Sequence, residues 1–285
     1  MRILVTGGAG FVGTNLIKRL IKDGHKVVSF DNYSSGFKEN HQDGCEYIEM
    51  EVRNPFEDWL ENFDTIFHLS AMARIQPSFE DPRWVIENNF NSTINVLEFA
   101  RRKNIDVIYA GSSSVHHGLY GSPYAWSKHG GEQMCKLYSE VYDMNTSICR
   151  FYNVYGPHQI EDGEFATVIG IFERQHRNGE PLTIVGDGEQ RRDFTHIDDI
   201  VDGLIKVFRG MQGEIDMKFS APIFEFGRGE NYSINEIADM FGGDKEYIEK
   251  RKGEYPQTLC DDKDTMELLD WKPTKNLKDY IESVR

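Results

Sequence analysis

A tyrosine and a lysine placed four residues apart, Tyr124 and Lys128, could together supply a general base. They open a predicted helix, so their side chains lie on one face of it. A cation beside a phenol favours the phenolate and lowers its pKa from about 10 towards the pH at which an enzyme works. Because such a pair on a helix face is usually solvated, it indicates chemistry only together with other residues.

A run of serines, Ser112 to Ser114, comes after the predicted strand Val107–Ala110. Side chains at the carboxyl end of a central strand lie at the crevice where α/β sheets bind ligands. A hydroxyl there can hydrogen-bond a substrate hydroxyl and the Tyr124 phenol at once. Serines are also ordinary loop residues, so it is the combination with the tyrosine and lysine that indicates a site.

A glycine-rich turn at residues 6–13, TGGAGFVG, lies between a predicted strand and a predicted helix. Gly7 allows a tight turn, Gly10 lets a pyrophosphate approach the backbone, and Gly13 lets the helix pack close to the strand. The amides and dipole of the helix start then face the phosphates. Asp31, 18 residues beyond Gly13, is placed to bind an adenosine ribose. Since a carboxylate repels a 2′-phosphate, the pattern favours NAD over NADP.

The elements that must carry these residues alternate between short β-branched runs and amphipathic stretches. Strands are predicted at Ile3–Thr6, Lys26–Phe30, Tyr47–Met50, Thr65–Leu69, Val107–Ala110 and Thr146–Arg150. Helices are predicted at Val12–Lys22, Arg83–Lys103 and Tyr124–Tyr142. This alternation predicts an α/β fold of the Rossmann type, a doubly wound parallel sheet with helices on both faces.

After about Pro157 the regular alternation of strands and helices ends, and glycines separate shorter predicted elements. Helices are predicted at Ile197–Arg209, Ser233–Phe241 and Leu277–Val284. We therefore expect an NAD-binding domain over residues 1–157 and a smaller, mainly substrate-binding α/β portion over residues 158–285. Some segments are expected to return to the first domain, and the strand near Ile184 is one candidate.

Composition excludes several classes of function. The 32 basic and 47 acidic residues give a net charge of −15, which disfavours nucleic acid and anionic membranes as main partners. No apolar run approaches the roughly 18 residues of a membrane span. A strand begins at Met1, so we expect no signal peptide. The four cysteines lie far apart, which favours free thiols in a reducing cytoplasm over disulfides or a metal site.

Many separated blocks together resemble the extended short-chain dehydrogenase/reductases. Within these the chain is similar to the NAD-dependent nucleotide-sugar epimerase/dehydratase family, most of all to the UDP-glucose 4-epimerase type. The blocks are TGGAGFVG, Asp31-Asn32, His68-Leu69-Ser70-Ala71, the serine run, YAWSK (124–128), RFYNVYGP (150–157), GDGEQRRDF (186–194), RKGE (251–254), Asp261 and LDWKP (269–273). They span nearly the whole chain.

The resemblance implies a role for each matching residue. Tyr124 is the implied base, Lys128 holds the nicotinamide ribose and lowers the phenol pKa, and Ser112 is the third catalytic residue. The implied cofactor contacts are Gly7, Gly10, Phe11, Val12, Asp31, Asn32, Glu51, Val52, Leu69, Ser70, Ala71, Met72, Asn89, Tyr124, Lys128 and Tyr152. The implied substrate contacts are Ser112, Asn153, Arg192 and Arg251, the two arginines countering a diphosphate.

Three departures from the family pattern limit the types of reaction and substrate that we expect. Ser113 and Ser114 stand where dehydratases carry an Asp-Glu pair and decarboxylases a glutamate, so the carboxylate those reactions use is missing. His116-His117 replaces the common Tyr-Gly in a shortened loop, and we interpret both as exposed loop histidines rather than a proton shuttle. Thr258 matches a bulky tyrosine of some 4-epimerases, and we hypothesise that it admits N-acetylated hexoses.

We therefore expect an NAD-dependent 4-epimerase that acts on a nucleotide-activated hexose through a transient 4-keto sugar. The alternatives are a dehydratase, decarboxylase or reductase of the same family, or a non-catalytic NAD-binding regulatory protein. Relatives often dimerise through helices that correspond to Arg83–Lys103 and Tyr124–Tyr142, so the resemblance also implies a homodimer.

Overall fold

A parallel sheet of seven strands forms the centre of the molecule. The computed structural model describes residues 1–57, 60, 62–215 and 220–285. Across the sheet the strands run in the order β10, β6, β5, β4, β1, β2, β3. Their bounds are β1 Arg2–Thr6, β2 Lys26–Asp31, β3 Cys45–Glu49, β4 Thr65–His68, β5 Asp106–Ser112, β6 Thr146–Phe151 and β10 Ile223–Phe226. Each pairing is parallel, which confirms the predicted fold class.

The central strands are apolar on both faces because helices cover both. Along β1, Ile3 and Val5 pack in one core and Leu4 in another, as the two-residue period of a strand requires. The helices are α1 Phe11–Lys22, α2 Ile75–Glu80, α3 Pro82–Ile86, α4 Ser92–Lys103, α5 Pro123–Tyr142, α6 Val168–Asn178, α7 Ile197–Arg209, α8 Ile234–Phe241, α9 Asp264–Leu269 and α10 Leu277–Val284. Helices α1 and α7 cover the first core, and α4 and α5 the second. This matches the predicted two-sided arrangement.

The predicted helix Arg83–Lys103 is continuous in the structure and contains one widened turn. A π turn over Glu87–Asn91 joins α3 to α4, and the backbone keeps helical angles at Ile86, Asn91 and Ser92. Within this turn the Asn89 side chain is buried and bonds the backbone of Met72, at 2.7 Å from its N and 3.1 Å from its O. Such turns recur at functional sites. The predicted helix is therefore confirmed, and the π turn within it, where Asn89 contacts the segment after β4, was not predicted.

The C-terminal half forms two small sheets around a third core. Strands β7 Asn153–Tyr155, β9 Arg191–His196 and β11 Asn231–Ser233 form one, and β8 Leu182–Val185 with β12 Lys245–Ile248 the other. The strand at Ile184 thus pairs with β12 and does not return to the large sheet. The strand that returns is β10, beside β6. The division at residue 157 stays a prediction.

Candidate active site

The glycine-rich turn brings the chain from β1 into α1 at the edge where β1 and β4 end. Gly7 has φ +74°, and a Cβ there would lie 3.0 Å from the backbone of Ser70. A Cβ on Gly13 would lie 2.2 Å from the Gly7 carbonyl oxygen. Gly10 precedes the first residue of α1 and lines a cavity of about 840 Å³. The turn is therefore a close backbone crossing that opens onto a ligand-sized space.

Asp31 lies at the carboxyl end of β2, on the wall of the same cavity. Its carboxylate accepts hydrogen bonds from the amides of Ala9 at 2.9 Å and Tyr33 at 2.8 Å. Burial raises its pKa, while these amides act in the opposite direction. The acid is thus held in one orientation beside the glycine turn, as a ribose-binding carboxylate needs to be.

The segment after β4 forms another wall of the cavity. Leu69, Ser70, Ala71 and Met72 all line it. The Ser70 amide donates to Thr6 Oγ1 at 3.2 Å, which ties this segment to β1. Asn89 lies behind the wall, where its side chain accepts from the Met72 amide and donates to the Met72 carbonyl.

Ser112 and Tyr124 meet at the carboxyl end of β5. The Tyr124 hydroxyl donates to Ser112 Oγ at 3.4 Å. Ser112 is the last residue of β5, and Tyr124 lies in the first turn of α5, which Ser122 caps by accepting from the Ala125 amide at 3.1 Å. The predicted hydroxyl pair is therefore positioned by two regular elements on one cavity wall.

The pKa of Tyr124 differs from the sequence expectation. Burial dominates and raises it, whereas the Ser112 hydrogen bond and the Arg74 guanidinium lower it. We expected Lys128 to lower this pKa, but that ammonium lies 4.3 Å from the centroid of the Tyr109 ring and is not among the charges that act on the phenol. The effect of Lys128 on the phenol pKa therefore stays a prediction.

Lys128 is a buried cation, only 4% exposed. Burial lowers its pKa to about 8, and the carboxylate of Glu132 acts in the opposite direction. Its ammonium makes no hydrogen bond to any residue in the described ranges. A buried ammonium without an acceptor is costly, so it fits the ribose hydroxyls of a bound dinucleotide. Together with Gly10 and Asp31 it forms a set of groups that fits NAD.

The cavity is also lined by the predicted substrate contacts Asn153, Arg192 and Arg251 and by the predicted cofactor contact Tyr152. Arg192 donates to Glu254 Oε2 at 2.7 Å and to the Tyr255 carbonyl at 2.8 Å. Asn153 Nδ2 donates to Thr258 Oγ1 at 3.2 Å. The chain from Arg251 to Thr258 is thus fixed against β7 and β9.

Most predicted site residues share this cavity, and four do not line it. Those that line it are Gly7, Gly10, Phe11, Val12, Asp31, Asn32, Leu69, Ser70, Ala71, Met72, Ser112, Tyr124, Tyr152, Asn153, Arg192 and Arg251. Asn89 and Lys128 lie behind its walls. Glu51 accepts from the Asn32 side chain at 2.9 Å, and Val52 packs in the second core.

The side chains that line the cavity but were not predicted as site residues include Arg74, His117 and Tyr255. The His117 ring lies 5.0 Å from the Tyr255 ring, so the shortened loop packs against the chain near Thr258. Arg74 comes directly after the β4 block, which is the signal that could have included it. Its contact with the Phe165 carbonyl at 2.9 Å is a tertiary one.

His116 is exposed, as predicted, but it is hydrogen-bonded. Its Nε2 lies 2.8 Å from Glu225 Oε1, and this hydrogen bond raises the pKa of His116. The same oxygen accepts from Arg150 at 2.8 Å, and Arg150 also binds Glu132 through two hydrogen bonds. This buried charge network ties the segment after Ser112 to β6, β10 and α5.

The described residues hold no cluster of three or more side chains suited to a metal ion, and their four cysteines are free thiols. Among the helices of the described ranges, none is both long and apolar enough to cross a bilayer.

Comparisons with known proteins point to one family. The model of the NAD dependent epimerase/dehydratase family matches residues 3–216. A putative UDP-glucose 4-epimerase of Methanocaldococcus jannaschii is 33% identical over 99% of this chain and 96% of its own length. A UDP-N-acetyl-alpha-D-glucosaminuronate decarboxylase of Bacillus cytotoxicus is 32% identical over 83% of this chain and 78% of its own.

A solved structure shares the fold closely. The UDP-glucuronic acid 4-epimerase of Bacillus cereus, in complex with UDP-glucuronic acid and NAD, has a TM-score of 0.88 and 28% identity to this chain. The match covers 97% of the chain in that structure and 99% of the present chain.

Proposed function

Because the chain belongs to the NAD-dependent epimerase/dehydratase family, we propose that it inverts C4 of a nucleotide-activated hexose, as enzymes of the UDP-glucose 4-epimerase type do. The observation that carries the proposal is the contact between the Tyr124 and Ser112 hydroxyls, in one cavity with the glycine turn and Asp31. This arrangement can exchange a proton with a sugar hydroxyl beside a dinucleotide.

NAD, when bound, supplies the reversible acceptance of hydride that inversion at a carbon requires. Tyr124, as the phenolate, takes the proton from the sugar 4-hydroxyl, and Ser112 hydrogen-bonds both the phenol and that hydroxyl. Lys128 holds the nicotinamide ribose, and Asp31 the adenosine ribose. The proton returns to the sugar at the end, so the net reaction is redox-neutral and needs no external oxidant.

The substrate diphosphate is assigned to Arg192 and Arg251. Both guanidiniums line the cavity on the wall opposite the glycine turn, and arginine matches phosphate oxygens in charge and in geometry. Arg192 keeps one carboxylate partner, Glu254. These local cations explain how a chain of net charge −15 would take an anionic substrate.

The two serines after Ser112 favour inversion over elimination. Ser113 and Ser114 line the cavity where an acid would be needed to remove water. Hydroxyls with ordinary pKa values are poor proton carriers near neutral pH. We also retain Thr258 as the residue that admits an N-acetyl group, since it too lines the cavity and is smaller than a tyrosine.

A homodimer through α4 and α5 is part of the proposal. The two helices pack side by side, and Tyr138 on α5 donates to Glu98 on α4 at 2.6 Å. Large apolar side chains on α5 are exposed, namely Trp126, Leu137, Val141 and Tyr142. A second copy would cover them. Light scattering that gives a monomeric mass would contradict this part. We place the enzyme in the cytoplasm, where its free thiols stay reduced.

The test of the reaction is direct. Purified protein is incubated with UDP-, GDP-, CDP- and dTDP-hexoses, and the products are read by NMR. We expect the C4 epimer of at least one nucleotide sugar, without NADH release. Bound NAD with no conversion of any nucleotide sugar would refute the proposal and favour a regulatory NAD-binding protein. Release of CO₂ from a uronic acid nucleotide would favour a decarboxylase.

A further inference from the structure

Arg74 is a cavity-lining cation without a carboxylate partner. Its Nε donates to the Phe165 carbonyl at 2.9 Å and its Nη1 to the Ala73 carbonyl at 3.4 Å. Both acceptors are neutral, and no carboxylate of the described residues lies within salt-bridge distance of it. The guanidinium is therefore anchored but not neutralised, although the chain as a whole carries a net charge of −15.

Other half-buried arginines around the site are paired. Arg150 binds Glu132 and Glu225, and Arg192 binds Glu254. A charge withdrawn from water without a partner is unfavourable. Burial lowers the pKa of Arg74, and the only charge that acts in the opposite direction is that of Tyr124. The guanidinium lines the same cavity as the Tyr124 phenol, and a bound anion there would supply the missing partner.

A second unpartnered group lines the same cavity. Ser114 Oγ is buried and has no hydrogen-bond partner among the described residues. The Ser114 side chain is 7% exposed and lies two residues after Ser112. Its hydroxyl can donate to an anionic oxygen. Arg74 and Ser114 are independent observations, and both indicate a polar ligand near the catalytic hydroxyls.

The position of the phenol limits which anion this is. Tyr124 acts on the 4-hydroxyl of the sugar, so C4 lies beside it. C5, the ring neighbour of C4, carries C6, whereas the diphosphate is attached to C1 across the ring. In a hexuronic acid C6 is a carboxylate, whose two oxygens match the planar fork of a guanidinium. The diphosphate already has Arg192 and Arg251.

We propose that Arg74 binds the C6 carboxylate of the sugar, so that the preferred substrate is a nucleotide-activated hexuronic acid rather than a neutral hexose. This inference rests on the proposed function, because it takes the sugar orientation from the role of Tyr124. Arg74 is then a specificity-determining residue, and Ser114 adds a hydrogen bond to the same carboxylate.

The experiment measures binding and turnover separately. Isothermal titration of the NAD-loaded protein gives the Kd of UDP-glucuronate and of UDP-glucose, and NMR gives the rate of epimerisation of each. We expect UDP-glucuronate to bind at least about tenfold more tightly than UDP-glucose. R74M should raise the Kd of UDP-glucuronate by about 10²-fold and that of UDP-glucose by less than about threefold. R74K keeps the charge but loses the planar fork of the guanidinium, so its Kd for UDP-glucuronate should lie between those of the native protein and R74M.

R251M is the matched control, because it removes one cation from the same cavity at the diphosphate. It should weaken both nucleotides by the same factor and leave their ratio unchanged. Equal affinity of the native protein for the two sugars, or an equal loss of both in R74M, would overturn the inference and assign Arg74 to a part that the two substrates share. The ratio of the two Kd values for the native protein tests the inference even if R74M does not fold.

The two proposals can fail separately. If UDP-glucose is epimerised as efficiently as UDP-glucuronate, the epimerase function stands and the role of Arg74 is wrong. If UDP-glucuronate binds more tightly and R74M removes this preference, but no nucleotide sugar is converted, then carboxylate binding by Arg74 stands and the epimerase function is wrong.

Discussion

Replacing Tyr124 by phenylalanine removes one oxygen atom from the centre of the site. The only hydrogen bond this hydroxyl makes to a described residue is the one to Ser112 Oγ, at 3.4 Å. That distance is long for a hydroxyl donor, so its loss should cost less than about 1 kcal/mol of folding free energy. The aromatic ring stays in place, and the glycine turn and Asp31 are untouched. We therefore expect a folded variant that still binds NAD.

The effect on turnover should be much larger. Removal of a general base lowers kcat by about 10²–10⁴, which corresponds to about 3–5 kcal/mol of activation free energy. The phenol must be deprotonated to act, and burial raises its pKa. Activity of the native enzyme should therefore fall as the pH drops below that pKa, and this dependence should be absent from the residual activity of the variant.

The assay is epimerisation of UDP-glucose or UDP-glucuronate measured by NMR across the neutral and alkaline range. NAD binding is measured by calorimetry on the same samples. Tyr120→Phe is the matched control, because Tyr120 lies on the preceding loop and is 91% exposed. Its turnover should equal that of the native protein. A Tyr124→Phe variant with kcat within about threefold of native would refute the assignment of the base.

Three further results are expected. Glu132→Gln should lower the free energy of unfolding by about 3–5 kcal/mol, because Glu132 is fully buried and the Arg150 guanidinium bonds both of its oxygens. Thermal or urea unfolding measures this change. Glu140→Gln, at an exposed position on the same helix, is the control. NAD affinity should fall as the pH rises through about 8, where Lys128 loses its proton, and Lys128→Met should show a flat profile by calorimetry. His116→Ala should lower Tm more in mildly acidic than in alkaline solution, because the pKa of His116 is raised by Glu225 and its stabilising charge is lost as the pH rises through that pKa; an equal drop at both pH values would contradict this.

The order of elements was predictable because each was encoded locally. The predicted helices at Ile197–Arg209 and Leu277–Val284 have the same bounds in the structure. The predicted strands differ from β1 to β6 by at most two residues at either end. Buried parallel strands are continuous apolar runs, and apolar residues of surface helices recur every three to four positions. Both patterns can therefore be recognised in the sequence alone.

The pairing of distant charges could not be predicted in this way. The π turn within the helix at Arg83–Lys103 was not predicted, and it holds Asn89, which bonds a segment of chain 17 residues earlier. His116 is exposed as predicted, but its partner Glu225 could not be predicted, because it lies 109 residues away. Arg74, from the segment after β4, lines the same cavity as Tyr124, and this proximity depends on a fold that brings together residues 50 positions apart.

Local patterns along the chain were enough to specify the parallel sheet, the glycine turn with its acid on the second strand, and the hydroxyls that meet at the end of β5. These features depend on periodicity and on short spacings between residues. The folded arrangement was needed to establish which cations are neutralised and which remain available, since charge compensation depends on distance in space. Arg192 has a carboxylate beside it and Arg74 has none among the described residues, and no pattern in the sequence distinguishes the two arginines in this respect.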